Sequence, residues 1–175
     1  MIENNILTMN GEMNGVKFIG GEYRGFDEYS GSGGEDSLGG YLFKFTYEKN
    51  IANSKYPVLL NPFSFDIEDK KKYKEVHFSN VDFSSKFKVY SQDEIDAKKI
   101  LKPKFMYQLY DYVTCFNTTY YYRFYIYKNE INIIFTFPPY QGDSGELNSN
   151  RELDTFFQKY QEISHVLNFI KQVKF

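Results

Sequence analysis

The sequence predicts an α+β domain built on an antiparallel sheet, and three observations carry that expectation. Thr118 to Phe137 reads as one strong hairpin. Shorter alternating runs precede it, with a helical insertion just before it. The chain then closes on a segment, about Arg151 to Val173, whose apolar residues recur at helical spacing. Runs of strands with segregated helices indicate α+β architecture.

The hairpin organises the rest. Tyr120, Tyr122, Phe124 and Ile126 fall on one face by the two-residue period of a strand. Ile131, Ile133, Phe135 and Phe137 form the matching row on the return strand. Aromatic and β-branched residues suit a pleated, half-buried surface. The polar break at Lys128-Asn129 fits a tight turn. An isolated hairpin is marginal in water, so other elements must pack against this one.

Taken in order, Met1 to Asn14 is polar and reads as a loosely ordered lead-in or a short helix. Val16 to Tyr23 is a first strand, in which Gly20 and Gly21 suggest a bulge. Gly25 to Gly40 is a Gly/Ser-rich loop. It lacks the Gly-Lys-Ser/Thr ending of a phosphate cradle and leads into a strand rather than a helix. In Tyr41 to Glu48, Tyr41, Phe43, Phe45 and Tyr47 alternate with Leu42, Lys44, Thr46 and Glu48, which marks a strand. Tyr56 to Leu60 is a short apolar run ending at the turn signal Asn61-Pro62. Asp66 to Lys74 is a charge block, read as a solvated loop. Glu75 to Ser79 and Ser85 to Tyr90 are two further strands, with Val76, Phe78, Phe87 and Val89 facing the core.

Ser91-Gln-Asp-Glu94 has the form of a capping box, with Ser91 as N-cap of a helix through Leu101. Lys102 precedes Pro103 and is pushed out of helical geometry, so Pro103 opens a second helix at its first position. Phe105, Met106, Leu109, Tyr110 and Val113 line one side of it. After the hairpin, Pro138 to Gly145 is a loop, and Ser149-Asn-Arg-Glu152 is a second capping box. The closing helix carries Leu153, Phe156, Phe157, Tyr160, Ile163, Val166, Leu167, Ile170 and Val173 as its stripe. The expected whole is a single domain over 1–175 with about seven strands. One arrangement is a strongly bent sheet or partly open barrel closed by the last helix, broadly like a pleckstrin-homology fold.

Composition narrows the function classes. The chain has 175 residues, 42% hydrophobic and 25% charged, an ordinary globular balance. Its 17 Tyr and 18 Phe with no Trp make it aromatic-rich. Asn, Ile, Lys, Tyr and Phe share AT-rich codons, and patterned aromatics are more often core than platform, so the excess alone does not mark a binding surface. A net charge of −2 and a pI near 5.8 lack the basic excess of a dedicated nucleic-acid or anionic-membrane protein. A single Cys115 excludes an intramolecular disulfide and a Cys-rich zinc site and suits a reducing cytoplasm. No run approaches bilayer-spanning length, and no signal peptide is visible.

The stretch Phe87 to Met106 resembles the signature of an uncharacterised bacterial domain-of-unknown-function family (number 3137). The matching residues are Val89, Tyr90, Ser91, Asp93, Ala97, Ile100, Leu101, Pro103, Phe105 and Met106, with Leu109 following. The hairpin and closing helix are similar as well, and the strands at Gly15 to Tyr23 and Tyr41 to Lys49 are weaker matches. The chain departs from the pattern at Asp96-Ala97-Lys98, where the family has Glu-Ala-Arg, and at Lys102, where it has Thr. Many relatives look as if they carry membrane-spanning helices ahead of this domain. The resemblance therefore implies a place, the cytoplasm or the cytoplasmic side of a bacterial membrane, rather than a reaction. Each matched residue also has a structural role in capping, helix initiation or packing, which marks a folding signature.

Catalytic constellations are lacking. His77 and His165 have no second His or Cys at ligand spacing, so no metal or other cofactor is expected. Cys115 ends an apolar helix, where a buried inert thiol is the commoner case. Asp66, Glu68 and Asp69, or Asp93, Glu94 and Asp96, are the two carboxylate clusters that a hydrolase would need, and both fall in charged surface or cap positions. Tyr121, Arg123, Tyr125 and Tyr127 occupy the outer face of the hairpin, the candidate binding residues. Such a face can stack bases, although the net charge is wrong for nucleic acid; otherwise a helix covers it. The expected function is non-catalytic: a binding or scaffolding module for a protein segment or apolar ligand, on a sheet edge or an aromatic groove.

Overall fold

The computed structural model describes residues 8–26, 37–51, 54–61, 71–115, 121–136 and 149–173. They form an eight-stranded antiparallel sheet and four helices. The strands are β1 (Thr8–Met13), β2 (Val16–Phe26), β3 (Ser37–Tyr47), β4 (Val58–Leu60), β5 (Lys74–Val76), β6 (Val89–Ser91), β7 (Tyr121–Tyr127) and β8 (Glu130–Thr136). The helices are α1 (Val81–Lys86), α2 (Glu94–Ile100), α3 (Pro103–Thr114) and α4 (Ser149–Gln172). The sheet runs β1-β2-β3-β8-β7-β4-β6-β5 and is not closed, so β1 and β5 are its edges.

The hairpin β7–β8 sits in the middle, with β3 on one side and β4 on the other. Its alternation is realised: Tyr122, Phe124, Ile126, Ile131, Ile133 and Phe135 are all buried. Tyr120 and Phe137, expected in the same rows, lie outside the described residues. The inward row continues through Tyr41, Phe43 and Phe45 of β3, Val58 and Leu60 of β4 and Val89 of β6. Every helix contributes to the same cluster: Phe83 from α1, Ala97 and Ile100 from α2, Phe105, Met106, Leu109 and Tyr112 from α3, and Val166, Phe169 and Ile170 from α4. The helices therefore lie on one face of the sheet. Burying a side chain of this size stabilises by about 1.5–3 kcal/mol.

The turn at Lys128-Asn129 forms without the favoured Asn-Gly pair. Lys128 takes a positive φ of 52°, uncommon for a side-chain-bearing residue. The end of β3 holds it there: Tyr47 N donates to Asn129 O at 2.8 Å, Asn129 Nδ2 donates to Tyr47 O at 2.9 Å, and Ile51 N donates to Lys128 O at 2.9 Å.

Several expectations need correction. Thr8–Met13 is a strand, not a loose lead-in, and pairs with β2 from Thr8↔Gly21 to Met13↔Val16. Asn14 and Gly15, at φ 54° and 76°, make the turn, as two-residue hairpins require. The loop expected over Gly25 to Gly40 is shorter at both ends, because β2 continues to Phe26 and β3 begins at Ser37. Gly20 and Gly21 form no bulge, since the register runs evenly through Gly20↔Phe43 and Gly21↔Leu42. The glycine at 20 serves a close approach instead: a Cβ there would run into the ring of the fully buried Phe43.

Ser85 and Lys86 belong to α1 rather than to a strand, because the Asn80 side chain accepts from Phe83 N at 2.9 Å and caps a helix there. Phe87 is extended and buried as expected, but pairing starts only at Val89. The N-cap of α2 is Asp93, not Ser91: its carboxylate accepts from Ile95 N at 2.9 Å and Asp96 N at 3.1 Å. Ser91 ends β6, and its Oγ accepts from Asp93 N at 3.2 Å. Lys102 is extended at φ −66°, ψ 157°, and Pro103 opens α3. In α3 Tyr112 is buried where Tyr110 and Val113 were expected to be, and both of those are only half-buried. In α4 Phe169 is buried and Tyr160 is 66% exposed. The expected α4 side chains Leu153, Phe156 and Phe157, the loop at 138–145 and residues 66–70 of the charge block lie outside what the structure describes.

Replacing Gly20 by Ala should cost about 1–3 kcal/mol in urea unfolding, because Phe43 must leave its rotamer. Ile19→Ala, at a site 60% exposed, should stay within about 0.5 kcal/mol. Loss of the α2 cap in Asp93→Ala should cost about 1 kcal/mol in the same measurement.

Candidate functional site

With the helices on one face, the outward residues of the central strands define the other. Register places Leu42, Ile134 and Arg123 in one cross-strand row, and Lys44, Asn132, Tyr125, Leu59 and Tyr90 in the next. Leu59 is 4% exposed yet stands outside the helix-side cluster. A depression of about 340 Å³ opens on this face, lined by Leu42, Leu59, Leu60, Arg123, Phe124, Tyr125, Asn132 and Ile134. At one border Lys44 Nζ and Glu130 Oε1 pair at 2.7 Å. At the other, Arg123 Nη2 donates to Thr136 Oγ1 at 3.3 Å.

The four candidate residues of β7 share this face but not one site. Arg123 is buried, at 8% exposure, and lines the depression together with Tyr125. Tyr121 is 62% exposed and lines a different cavity, about 390 Å³, at the start of β7, which Arg123 also lines. Tyr127 stands beside the turn with Lys128 Nζ 5.0 Å from its ring centre. A stacking platform for bases needs several exposed rings with cations alongside. Here Tyr121 is the exposed ring of the four, and Lys44 is paired.

The second cavity lies between the C-terminal end of α1, the end of α3 and the first residues of β7, and Asn61, Lys86, Lys88 and Val113 line it. Sequence reading missed Asn61, Lys86 and Lys88 here and Leu42, Leu59, Asn132 and Ile134 on the sheet face. For Asn61 a signal existed, since an Asn ending a strand is a residue that tolerates left-handed backbone; its φ is 50°.

The carboxylates at the start of α2 take structural roles. Asp93 caps α2, Glu94 pairs with Lys98 at 2.6 Å, and Asp96 pairs with Lys99 at 3.5 Å while accepting from Lys55 N at 3.3 Å. The Lys98 ammonium holds the Glu94 carboxyl below the usual range. Asp66, Glu68 and Asp69 lie outside the described residues. Among the described residues no three His, Cys, Asp or Glu side chains gather as metal ligands. Cys115 is exposed rather than buried, because it caps α3 beyond the last inward residue, Tyr112. His77 lies past the end of β5 and is exposed, while His165 packs against Tyr112 with ring centres 5.3 Å apart. Burial of Tyr90, then the Glu75 carboxylate beside it, raises the Tyr90 phenol pKa.

This architecture, an antiparallel sheet with helices on one face and an open depression on the other, defines an α+β domain. The chain belongs to the family described as protein of unknown function (DUF3137), whose model matches residues 40–175. The matched stretch runs from β3 through α4 and leaves β1 and β2 ahead of it, including the weaker likeness around Gly15 to Tyr23. No curated protein and no solved structure matches the chain. Among the described residues no helix is long and apolar enough to cross a membrane.

Burial lowers the pKa of His165, with Asp111 and a hydrogen bond to the Tyr112 backbone opposing that shift. The folded state thus binds this proton more weakly than the unfolded chain. The associated stability is complete above the unfolded value and declines as pH falls through the ordinary imidazole range, about 6.5. The urea midpoint should fall between about pH 7 and pH 5.5, and His165→Gln should flatten that decline.

Proposed function

We propose that this domain is a non-catalytic binding module whose ligand occupies the depression on the helix-free face of β3, β8, β7 and β4. The observation that carries the reading is its lining: Leu42, Leu59, Tyr125 and Ile134 form apolar walls, with Asn132 and Arg123 as polar groups. A small, largely apolar molecule with one hydrogen-bond acceptor fits that chemistry. Small-molecule pockets run from about 300 to 1,000 Å³ and combine apolar walls with a few polar groups. A peptide added as a strand would need an edge, and the edges β1 and β5 lie away from these central strands. No carboxylate lines the depression among the described residues, which disfavours a carboxylate-dependent hydrolase.

The reading includes two broader expectations. One is that the sheet is strongly bent, a partly open barrel broadly like a pleckstrin-homology fold, with α4 as a long closing helix. The eleven-residue strands β2 and β3, with small Gly20 and Gly21 in β2, support that bend. The other is a place in the cytoplasm, at or near the bacterial membrane, as the family resemblance implies; a membrane edge supplies apolar small molecules.

An uncharged environment-sensitive dye such as Nile red should bind saturably and fluoresce with the wild-type chain. Ile134→Lys, verified as folded by circular dichroism, should weaken that binding about tenfold or more, since it places a charge in the apolar wall. Absence of saturable dye binding to the wild type, or equal binding by the folded variant, overturns the reading.

A further inference from the structure

The cavity at the start of β7 has a charge pattern that sets it apart from the apolar depression. Lys86, Lys88 and Arg123 line it, and no carboxylate does among the described residues. Neither lysine forms an ion pair with a described residue. In a chain of net charge −2, three cations around one cavity of about 390 Å³ is a local inversion of sign. Grouped like charges repel, and a bound anion relieves that repulsion.

The segment carrying the lysines is held in place from outside α1. Asn61 accepts from Lys88 N through Oδ1 at 2.7 Å and donates from its own N to Lys88 O at 2.8 Å. Its Nδ2 donates to Lys86 O at 2.9 Å. These three bonds fix the backbone at both lysines and keep Asn61 itself in the left-handed region, at φ 50°. The remaining walls are mixed: Val113 supplies apolar surface and Tyr121 an exposed ring.

We propose that this cavity binds a small organic phosphate, the phosphate among Lys86, Lys88 and Arg123 and the organic part against Val113 and Tyr121. A phosphate monoester carries about −1.5 to −2 at pH 7, which balances several cations better than one carboxylate does. Guanidinium and ammonium groups are the usual phosphate partners. The ester is either a free metabolite-sized molecule or the head group of a lipid. Lys86 and Lys88 line this cavity and not the apolar depression, whereas Arg123 lines both.

The test titrates the full chain with phenyl phosphate, and separately with phosphatidylcholine vesicles with and without phosphatidic acid. Saturable binding to either phosphate probe is expected, weakening as salt is raised. Preference for phenyl phosphate identifies a free ester, and preference for the phosphatidic acid vesicles a lipid head group. The double variant Lys86→Gln/Lys88→Gln should bind the preferred probe about tenfold more weakly or worse, while its Nile red binding and melting temperature stay at wild-type values. Lys128→Gln, a cation elsewhere on the surface, should leave phosphate binding unchanged. No saturable binding by the wild type, no salt dependence, or undiminished binding by the folded double variant overturns the proposal.

Discussion

The structure depends on aromatic packing between the inward face of the central strands and the helices. Tyr41, Phe43 and Tyr122 each place a ring within 6.1 Å of the Phe135 ring, at 5.4, 5.9 and 6.1 Å. Tyr112 of α3 then connects the layers, 4.6 Å from Phe169 of α4 and 5.7 Å from Tyr122 of β7. Such pairs add about 0.5–1.5 kcal/mol each beyond the area they bury. These rings anchor the helices to one side, and among the described residues the depression opens on the opposite side of β3, β8, β7 and β4. Among the described residues Phe is therefore chiefly the material of the interior, whereas most Tyr side chains are half-buried or exposed.

Elements with a strong period were legible in the sequence. The hairpin could be read because both its rows alternate without interruption, and α3 because Lys102-Pro103 marks its start. Elements held by a local polar contact were harder. β1 offers little apolar alternation, since it is an edge strand; its signal was the Asn14-Gly15 turn rather than its own side chains. The α1 segment imitates a strand because Phe87 and Val89 both point inward, while the capping oxygen of Asn80 decides for a helix. Ser91 and Asp93 both sit where a cap can form, and only geometry separates them.

The candidate sites were legible to a smaller degree. Alternation put Tyr121, Arg123, Tyr125 and Tyr127 on one face, but it could not show that Tyr121 lines one cavity and Tyr125 another. That division comes from neighbours remote in sequence: Leu42 and Ile134 beside Arg123, Leu59 and Asn132 beside Tyr125, and Lys86 and Lys88 near Tyr121. Such groupings arise from strand order, and the β3–β8 and β4–β7 pairings leave no local trace in composition or spacing.

The pairing of β3 with β8 has a consequence for how the chain reaches its folded form. Gly40 and Thr136 are 96 residues apart, a long loop to close before the contact rewards it. On the ribosome, β1, β2 and β3 can zip together early, since each adjoins the next. The outer rim of β3 then waits, its amides and carbonyls unmated, until the last strand of the sheet emerges. A nascent three-stranded unit of this kind would present an open edge and the apolar side of Phe43 and Phe45, the features that favour self-association.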